Sequence, residues 1–130
     1  MTGTRPLVVV SGRHRPHEIL LLVVQVITGV AYSIGAPPPQ SVAALLPGWA
    51  LLVWSVGLAV SGVVGLAGVI WSPRVEAAGM LLGAAALIWY AAALAPFGWR
   101  ALLAGAISVA WAGANLWRAL QIRQDLRVPR

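Results

Sequence analysis

The chain has 130 residues and a net formal charge of +6, from nine basic and three acidic residues. Hydrophobic residues make up 60% of it and charged residues 9%, whereas a soluble domain is about 45–50% apolar and about 25% charged. So few charges cannot cover a soluble surface, and disordered chains are poor in apolar residues. The composition therefore predicts an integral membrane protein, and the absence of cysteine excludes disulfides and thiolate metal sites.

Four stretches of the chain predict membrane-spanning helices. A bilayer core about 30 Å thick needs about 20 apolar residues in helical form. A helix is expected because a backbone in lipid must satisfy its own hydrogen bonds. The predicted spans are residues 19–34, 49–71, 75–95 and 99–117.

Turn-forming residues separate these spans. The prolines at 37–39 end the first helix, since proline cannot continue one, and residues 41–46 predict a short helix in the membrane interface. Ser72 is placed to cap the third spanning helix and Pro73 to occupy its first position. The segment 95–98 predicts a tight turn, so the last two spans should form an antiparallel hairpin.

The placement of arginine predicts the orientation. Eight of the nine arginines fall on one side of the spans and only Arg100 on the other, which puts the basic side in the cytoplasm. The expected fold is an all-α, antiparallel bundle of four transmembrane helices in the cytoplasmic membrane, with both termini cytoplasmic. A basic segment (1–18) precedes the membrane domain (19–117), and the fourth helix should continue into a basic tail (118–130). The arginines expected to contact lipid headgroups are Arg13, Arg15, Arg118, Arg123 and Arg127.

A cleaved signal peptide is the alternative interpretation of the first span. The basic leader, the apolar run and the small residues after it suit that class, although a leader of residues 1–18 is long for it. Cleavage would leave three spans, with the N-terminus outside. We expect the first span to be retained.

Two histidines at the start of the first span are candidates for a metal site or a pH switch. His14 and His17 are three residues apart, but Pro16 lies between them and no other ligand completes the three or four that a metal needs. We interpret this segment as basic residues that meet anionic lipid headgroups. No metal, cofactor, nucleic-acid partner or small-molecule substrate is assigned, and no catalytic motif suggests an enzyme.

The positions of the acidic residues indicate whether the protein could be a proton-coupled carrier, because such carriers use an ionisable group inside the membrane. Glu18, Glu76 and Asp125 all fall at or beyond the ends of the predicted spans. Glu76 suits the first turn of its helix, where the helix dipole favours a negative charge. Only Glu18 is expected to be able to reach inward.

Uncharged polar residues also lie within the spans, and Gln25 and Thr28 are the two singled out. A buried glutamine needs partners for its amide. Asn115, close to Arg118 in the sequence, is expected to reach the headgroups. The spans therefore contain little that could carry out chemistry.

Small residues four apart predict close helix packing in the last three spans. Such rows can pack within one molecule or against a second copy, and we expect a homo-oligomer to form. The rows are Gly57, Ser61 and Gly65; Gly79 and Gly83; and Ala104, Ser108 and Ala112.

Five features occur together: a basic leader, a proline-rich first loop, the segment that leads into the second span, a break between the second and third spans, and a basic tail. They lie at residues 13–15, 37–39, 41–49, 71–74 and 118–127. In this pattern the chain resembles the small four-span membrane proteins of actinobacterial bacteriophages, a holin-like class, over nearly its whole length.

The resemblance implies a phage-encoded protein of the host cell membrane that oligomerises and permeabilises the membrane at lysis. Two alternatives stay open. One is a non-enzymatic accessory or scaffold membrane protein in virion assembly or host exclusion, and the other is a small transporter or channel. The expected partners are the lipid bilayer and further copies of the chain.

Overall fold

The computed structural model describes residues 16–38, 40–44 and 46–127, and its regular elements are all helical. His14, Arg13 and Arg15 lie outside these residues. A 3-10 segment, Ala95–Ala101, joins the last two long helices. The α-helices are α1 (Pro16–Ser33), α2 (Gln40–Ala43), α3 (Gly48–Trp71), α4 (Pro73–Leu94) and α5 (Leu102–Asp125).

Three of the helices are long and apolar enough to cross a membrane: α1, α3 and α4 with its 3-10 extension as far as Trp99. The 18 residues of α1 and the 24 of α3 correspond to about 27 Å and about 36 Å, against a bilayer core of about 30 Å. α5 is less apolar because Asn115 and Arg118 lie within it. The structure thus confirms an all-α protein with three membrane-length helices.

Each long helix packs against the next one in the chain, α1 on α3, α3 on α4, and α4 on α5. The directions alternate: Gly68 near the end of α3 lies against Glu76 near the start of α4, and Gly83 of α4 lies beside Asn115 of α5. Among the described residues, α1 and α5 share no extensive backbone contact. A groove therefore runs between α1 and α5, with α3 and α4 as its floor.

Glycines bring the helix backbones together. A Cβ atom on Gly79 would lie 2.5 Å from the Gly65 Cα, and one on Gly29 would lie 2.6 Å from the Ser55 carbonyl oxygen. Glycine at such crossings allows the close approach that holds helices together in lipid. Part of the small-residue pattern is therefore used for packing inside one molecule.

The helix ends follow the predicted breaks, with differences at α1, α2, α4 and α5. α1 begins at Pro16, three residues before the predicted span. α2 is shorter than the predicted 41–46 helix. Pro73 begins α4, but the Ser72 side chain makes no capping hydrogen bond. α5 begins later than predicted because Gly98, with φ of 54° and ψ of −132°, takes the chain out of helical geometry. It continues to Asp125 because neither glycine nor proline interrupts it after Trp117.

The outer surface is apolar, with large aliphatic side chains exposed along every long helix. Four tryptophans near predicted span ends are exposed, as expected of residues at a membrane–water interface. Trp54 instead points inward, where its Nε1 donates to the Ala86 carbonyl at 3.1 Å and its ring stacks on Tyr90. The exposed four are Trp49, Trp71, Trp99 and Trp117.

Candidate functional site: a polar cleft between α1 and α5

Three charged side chains meet at one end of the bundle. Arg118 of α5 donates from Nε to Glu76 Oε1 of α4 at 3.0 Å, and its Nη2 lies 3.0 Å from the same oxygen. Glu18 of α1 brings its Oε2 to 3.4 Å from the Arg118 Nε. The Glu76 side chain is 4% exposed and that of Arg118 is 13% exposed. These three residues form a cluster that we call the charged triad.

Helix packing places the charged triad inside the bundle. Glu18 and Glu76 lie in the first turns of α1 and α4, and antiparallel packing brings both ends beside the second half of α5. A Cβ on Gly68 would overlap the backbone of Glu76, so glycine allows α4 to start directly against α3. Glu76 is thereby turned towards α5 and away from solvent.

A second polar group lies deeper, around Gly83. A Cβ on Gly83 would lie 2.8 Å from the Asn115 Nδ2 and 2.9 Å from the Gln25 Nε2. Glycine thus leaves room for two amides, one from α1 and one from α5. Gln25 is fully buried and Asn115 is 3% exposed. The Ser61 hydroxyl donates to the Leu58 carbonyl at 2.7 Å and lies 3.4 Å from the Gln25 Oε1.

Two cavities lie along the groove between α1 and α5. The first cavity, of about 120 Å³, adjoins the charged triad. The second cavity, of about 280 Å³, lies on the far side of the amides and has mostly apolar and aromatic walls, with a few polar groups among them. Its lining residues are Thr28, Tyr32, Trp54, Leu58, Leu87, Tyr90, Ala104, Ile107, Ser108 and Trp111. We call the groove, with the charged triad, the two amides and both cavities, the polar cleft. The residues lining the first cavity are His17, Glu18, Leu21, Met80, Ala114, Asn115, Trp117, Arg118 and Gln121.

Buried polar atoms without hydrogen-bond partners mark the polar cleft. In the described part of the chain four side-chain atoms have this property. Glu18 and Asn115, which line the first cavity, each contribute one of these atoms, and Trp111 of the second cavity contributes another. The fourth belongs to Gln25 beside Gly83. The atoms are Glu18 Oε2, Gln25 Nε2, Trp111 Nε1 and Asn115 Nδ2.

Two residues predicted to contact headgroups have polar neighbours within the bundle. Arg118 does not extend outward, because its guanidinium is held by Glu76, and Asn115 faces Gly83 inside the bundle. Arg123 and Arg127 are exposed at the end of α5. The position of a residue near a span end indicated its depth along the helix but did not indicate which face it occupies.

The other predicted polar residues line the polar cleft. Gln25 lies at its centre and Thr28 in the second cavity. Glu18, which was expected to be able to reach inward, does so, and it is joined by Glu76, which was expected only to favour the helix dipole.

The small-residue rows divide between the interior and the surface. Ser61, Gly65, Gly79 and Gly83 are buried between helices, as are Ser108 and Ala112. In contrast, a Cβ on Gly57 would meet nothing within 4 Å, and Ala104 is exposed at the edge of the second cavity.

Sequence reasoning missed the convergence of these groups, although a signal for it was present. Glu18 and Gln25 are seven residues apart, and so are Glu76 and Gly83, while Asn115 and Arg118 are separated by three. Each spacing places both residues on one helix face. Two helices, α1 and α5, therefore each carry a polar pair along a single face, and α4 carries Glu76 with the glycine that leaves room for the amides on the same face.

Comparisons of the chain with protein-family models, with curated proteins and with solved structures found no match.

Proposed function

We propose that the protein is a small transporter or channel that carries a small polar solute along the polar cleft. The observation that carries this proposal is that all four unpartnered buried polar atoms of the described chain belong to residues of this one groove. Ionisable side chains inside membrane proteins are expensive to bury and characteristically mark a pathway for ions or solutes.

The energetic argument is one of magnitude. A buried polar group without a partner destabilises a protein by about 1–3 kcal/mol. Glu18 Oε2 has an ion pair with Arg118, so the penalty applies to the other three groups. Together they amount to about 3–9 kcal/mol, a large part of the whole stability of a typical domain, about 5–15 kcal/mol. A cleft that admits water or a polar solute removes this penalty, because the bound molecules satisfy these groups.

We further propose that α5 is the fourth crossing and that both termini are cytoplasmic. Of its residues up to Arg118, the two most polar, Asn115 and Arg118, face the polar cleft, so lipid need not meet them. The exposed polar residues Arg123, Gln124 and Asp125 follow only at the end of the helix. Arginine is concentrated at the end of the bundle that holds the charged triad, and this asymmetry supports a cytoplasmic location for that end. The cleft would then lead from the cytoplasmic end of the bundle towards the opposite face.

Flux into liposomes tests the proposed transport. Purified protein is reconstituted, and swelling in isosmotic ethanolammonium thiocyanate, urea or glycerol is followed by light scattering. Thiocyanate crosses lipid and balances the charge of any cation that enters. We expect faster swelling than in protein-free liposomes for at least one of the solutes. Gly83→Val should slow it, because the new side chain fills the space between the Gln25 and Asn115 amides.

Gly57→Val is the matched control, since it adds the same side chain where nothing lies within 4 Å. It should swell like the original protein. Swelling no faster than in protein-free liposomes, or equal slowing by both substitutions, would count against transport through the cleft.

Holin-like permeabilisation is the second candidate, and one surface of α5 favours it. Ala106, Ala110 and Gly113 share one face of this helix and are all exposed, so a second copy could pack closely there. Expression in a bacterium should then stop growth and collapse the membrane potential. Bulky substitution of Ala110 by Leu should prevent both effects, and normal growth with an intact potential at high expression would refute this function.

A further inference from the structure

We propose that the first cavity of the polar cleft binds a small organic monocation that also carries a hydrogen-bond acceptor. The ligand's ammonium group would donate to Glu18 Oε2, and its acceptor would receive a hydrogen bond from Asn115 Nδ2. This proposal names the solute class of the proposed transporter and in that respect rests on the function proposed above.

The charge of the cavity favours a cation. The charged triad has two carboxylates and one guanidinium, a formal charge of −1. The single N–H of the Arg118 Nε is donated to Glu76 at 3.0 Å. Glu18 Oε2 forms an ion pair with that nitrogen at 3.4 Å but receives no hydrogen bond. It can therefore accept a hydrogen bond from a ligand, and a charged donor makes the strongest hydrogen bond to a carboxylate.

Asn115 supplies the second, independent requirement. Asn115 is 97% buried and lines the same cavity as Glu18, and its Nδ2, which lies on the side of Gly83, has no hydrogen-bond partner. An N–H group cannot bind a cation and instead requires an acceptor. A ligand that forms hydrogen bonds with both the Glu18 carboxylate and the Asn115 amide therefore has an ammonium group at one end and a hydroxyl or carbonyl oxygen at the other.

The remaining walls favour an organic body over a metal ion. Leu21, Met80 and Ala114 supply apolar surface, and Trp117 adds an aromatic ring. A hard cation such as Ca²⁺ requires six or more oxygen ligands, and the described residues contain no cluster of three or more metal-binding side chains. The other titratable or charged groups facing the ligand are His17 and Arg118.

The size of the cavity limits the ligand. Its volume of about 120 Å³ is somewhat below that of an engineered cavity of about 150 Å³ that binds benzene. A cation with on the order of five non-hydrogen atoms fits this space. Ethanolammonium has four such atoms and presents both required groups.

Equilibrium binding to the purified full chain in detergent tests the proposal, with ethanolammonium chloride as the probe in isothermal titration calorimetry. We expect ethanolammonium to bind. Ethylammonium, which lacks the acceptor, and ethylene glycol, which lacks the charge, should each bind about tenfold or more weakly. Tetrapropylammonium should not bind, because it is too large for the cavity.

Substitutions assign the contacts. Glu18→Gln and Asn115→Leu should each weaken ethanolammonium binding by about tenfold or more. Asp125→Asn makes the same chemical change as Glu18→Gln at an exposed position and should leave binding unchanged. Glu18→Asp keeps the charge and should keep part of the affinity, which separates loss of the site from loss of the fold.

Three outcomes would overturn the proposal: no heat of binding for ethanolammonium, equal binding of ethylene glycol, or equal loss of affinity in Asp125→Asn and Glu18→Gln. These outcomes differ from failure of the transport function. Binding without liposome swelling would refute transport and retain the site, whereas swelling in urea or glycerol without ethanolammonium binding would retain transport and refute this ligand.

Discussion

Gly79→Ala tests the close crossing of α3 and α4 on which the shape of the bundle depends. The added Cβ would lie 2.5 Å from the Gly65 Cα and 2.9 Å from the Ser61 carbonyl oxygen. Carbon atoms in ordinary contact lie about 3.5–4.0 Å apart. The two helices must therefore move apart by about 1 Å, since both opposing atoms belong to backbone and cannot rotate away.

The magnitude follows from a comparison with Gly57→Ala on α3. Alanine favours a helix interior over glycine by about 1 kcal/mol, and this gain applies to both variants. At Gly57 nothing lies within 4 Å of the new atom, so only the gain is expected. At Gly79 overpacking adds a penalty of about 1–3 kcal/mol. The free energy of unfolding of Gly79→Ala should thus fall below that of Gly57→Ala by about 1–3 kcal/mol.

Unfolding in mixed micelles of mild detergent and sodium dodecyl sulfate provides the assay. The chain has seven tryptophans, so their fluorescence reports the transition. If Gly79→Ala proves as stable as Gly57→Ala, then α3 and α4 do not cross at this point and the reasoning is refuted.

Three further substitutions have expected effects in the same unfolding assay. Arg118→Met leaves the buried Glu76 carboxylate and the partly buried Glu18 carboxylate without their ion pairs and should destabilise the protein by about 3–5 kcal/mol. Arg123→Met at an exposed position should stay within about 0.5 kcal/mol, and similar losses in both would show that the charged triad does not form. Trp54→Phe removes the buried indole hydrogen bond and should lower the free energy of unfolding by about 1 kcal/mol. The control is Trp89→Phe at an exposed position, and an equal loss of stability in both variants would exclude that hydrogen bond. Gly98→Ala places a side chain at φ of 54° and should lower stability by about 1–3 kcal/mol; no loss would mean that the turn has another backbone geometry.

The spans were predictable because hydropathy and helix breakers act locally. A run of apolar residues needs no information about its neighbours to be identified, and the prolines at 37–39 or the pair Ser72–Pro73 end helices wherever they occur. The limits of α3 differ from the predicted span by one residue at most. The start of α5 was less predictable, because it depends on the backbone conformation at Gly98.

The polar cleft was less predictable, because it depends on how each helix is rotated about its axis. Glu76 near a span end is equally compatible with a headgroup contact and with burial against a partner. Helix packing determines which of these two positions the Glu76 side chain takes, since the contact of Gly68 with the Glu76 backbone turns that carboxylate inward. The seven-residue spacing of Glu18 and Gln25 marks one face of α1, but spacing within one helix does not identify the residues it meets on another.

The measurement that tests the polar cleft most directly is the aqueous accessibility of single thiols introduced along it. The natural sequence contains no cysteine, so each introduced thiol is observed alone. Ser108→Cys and Thr28→Cys place thiols in the second cavity, and Val63→Cys places one on the outer face of α3, where the native side chain is exposed.

A thiolate attacks a small, charged methanethiosulfonate reagent, forming a mixed disulfide and releasing methanesulfinate. Thiolates form readily in water and poorly in apolar surroundings. In protein reconstituted in liposomes, both cleft thiols should react faster than the thiol at position 63. Cleft thiols that react no faster than Val63→Cys would contradict a water-accessible polar cleft.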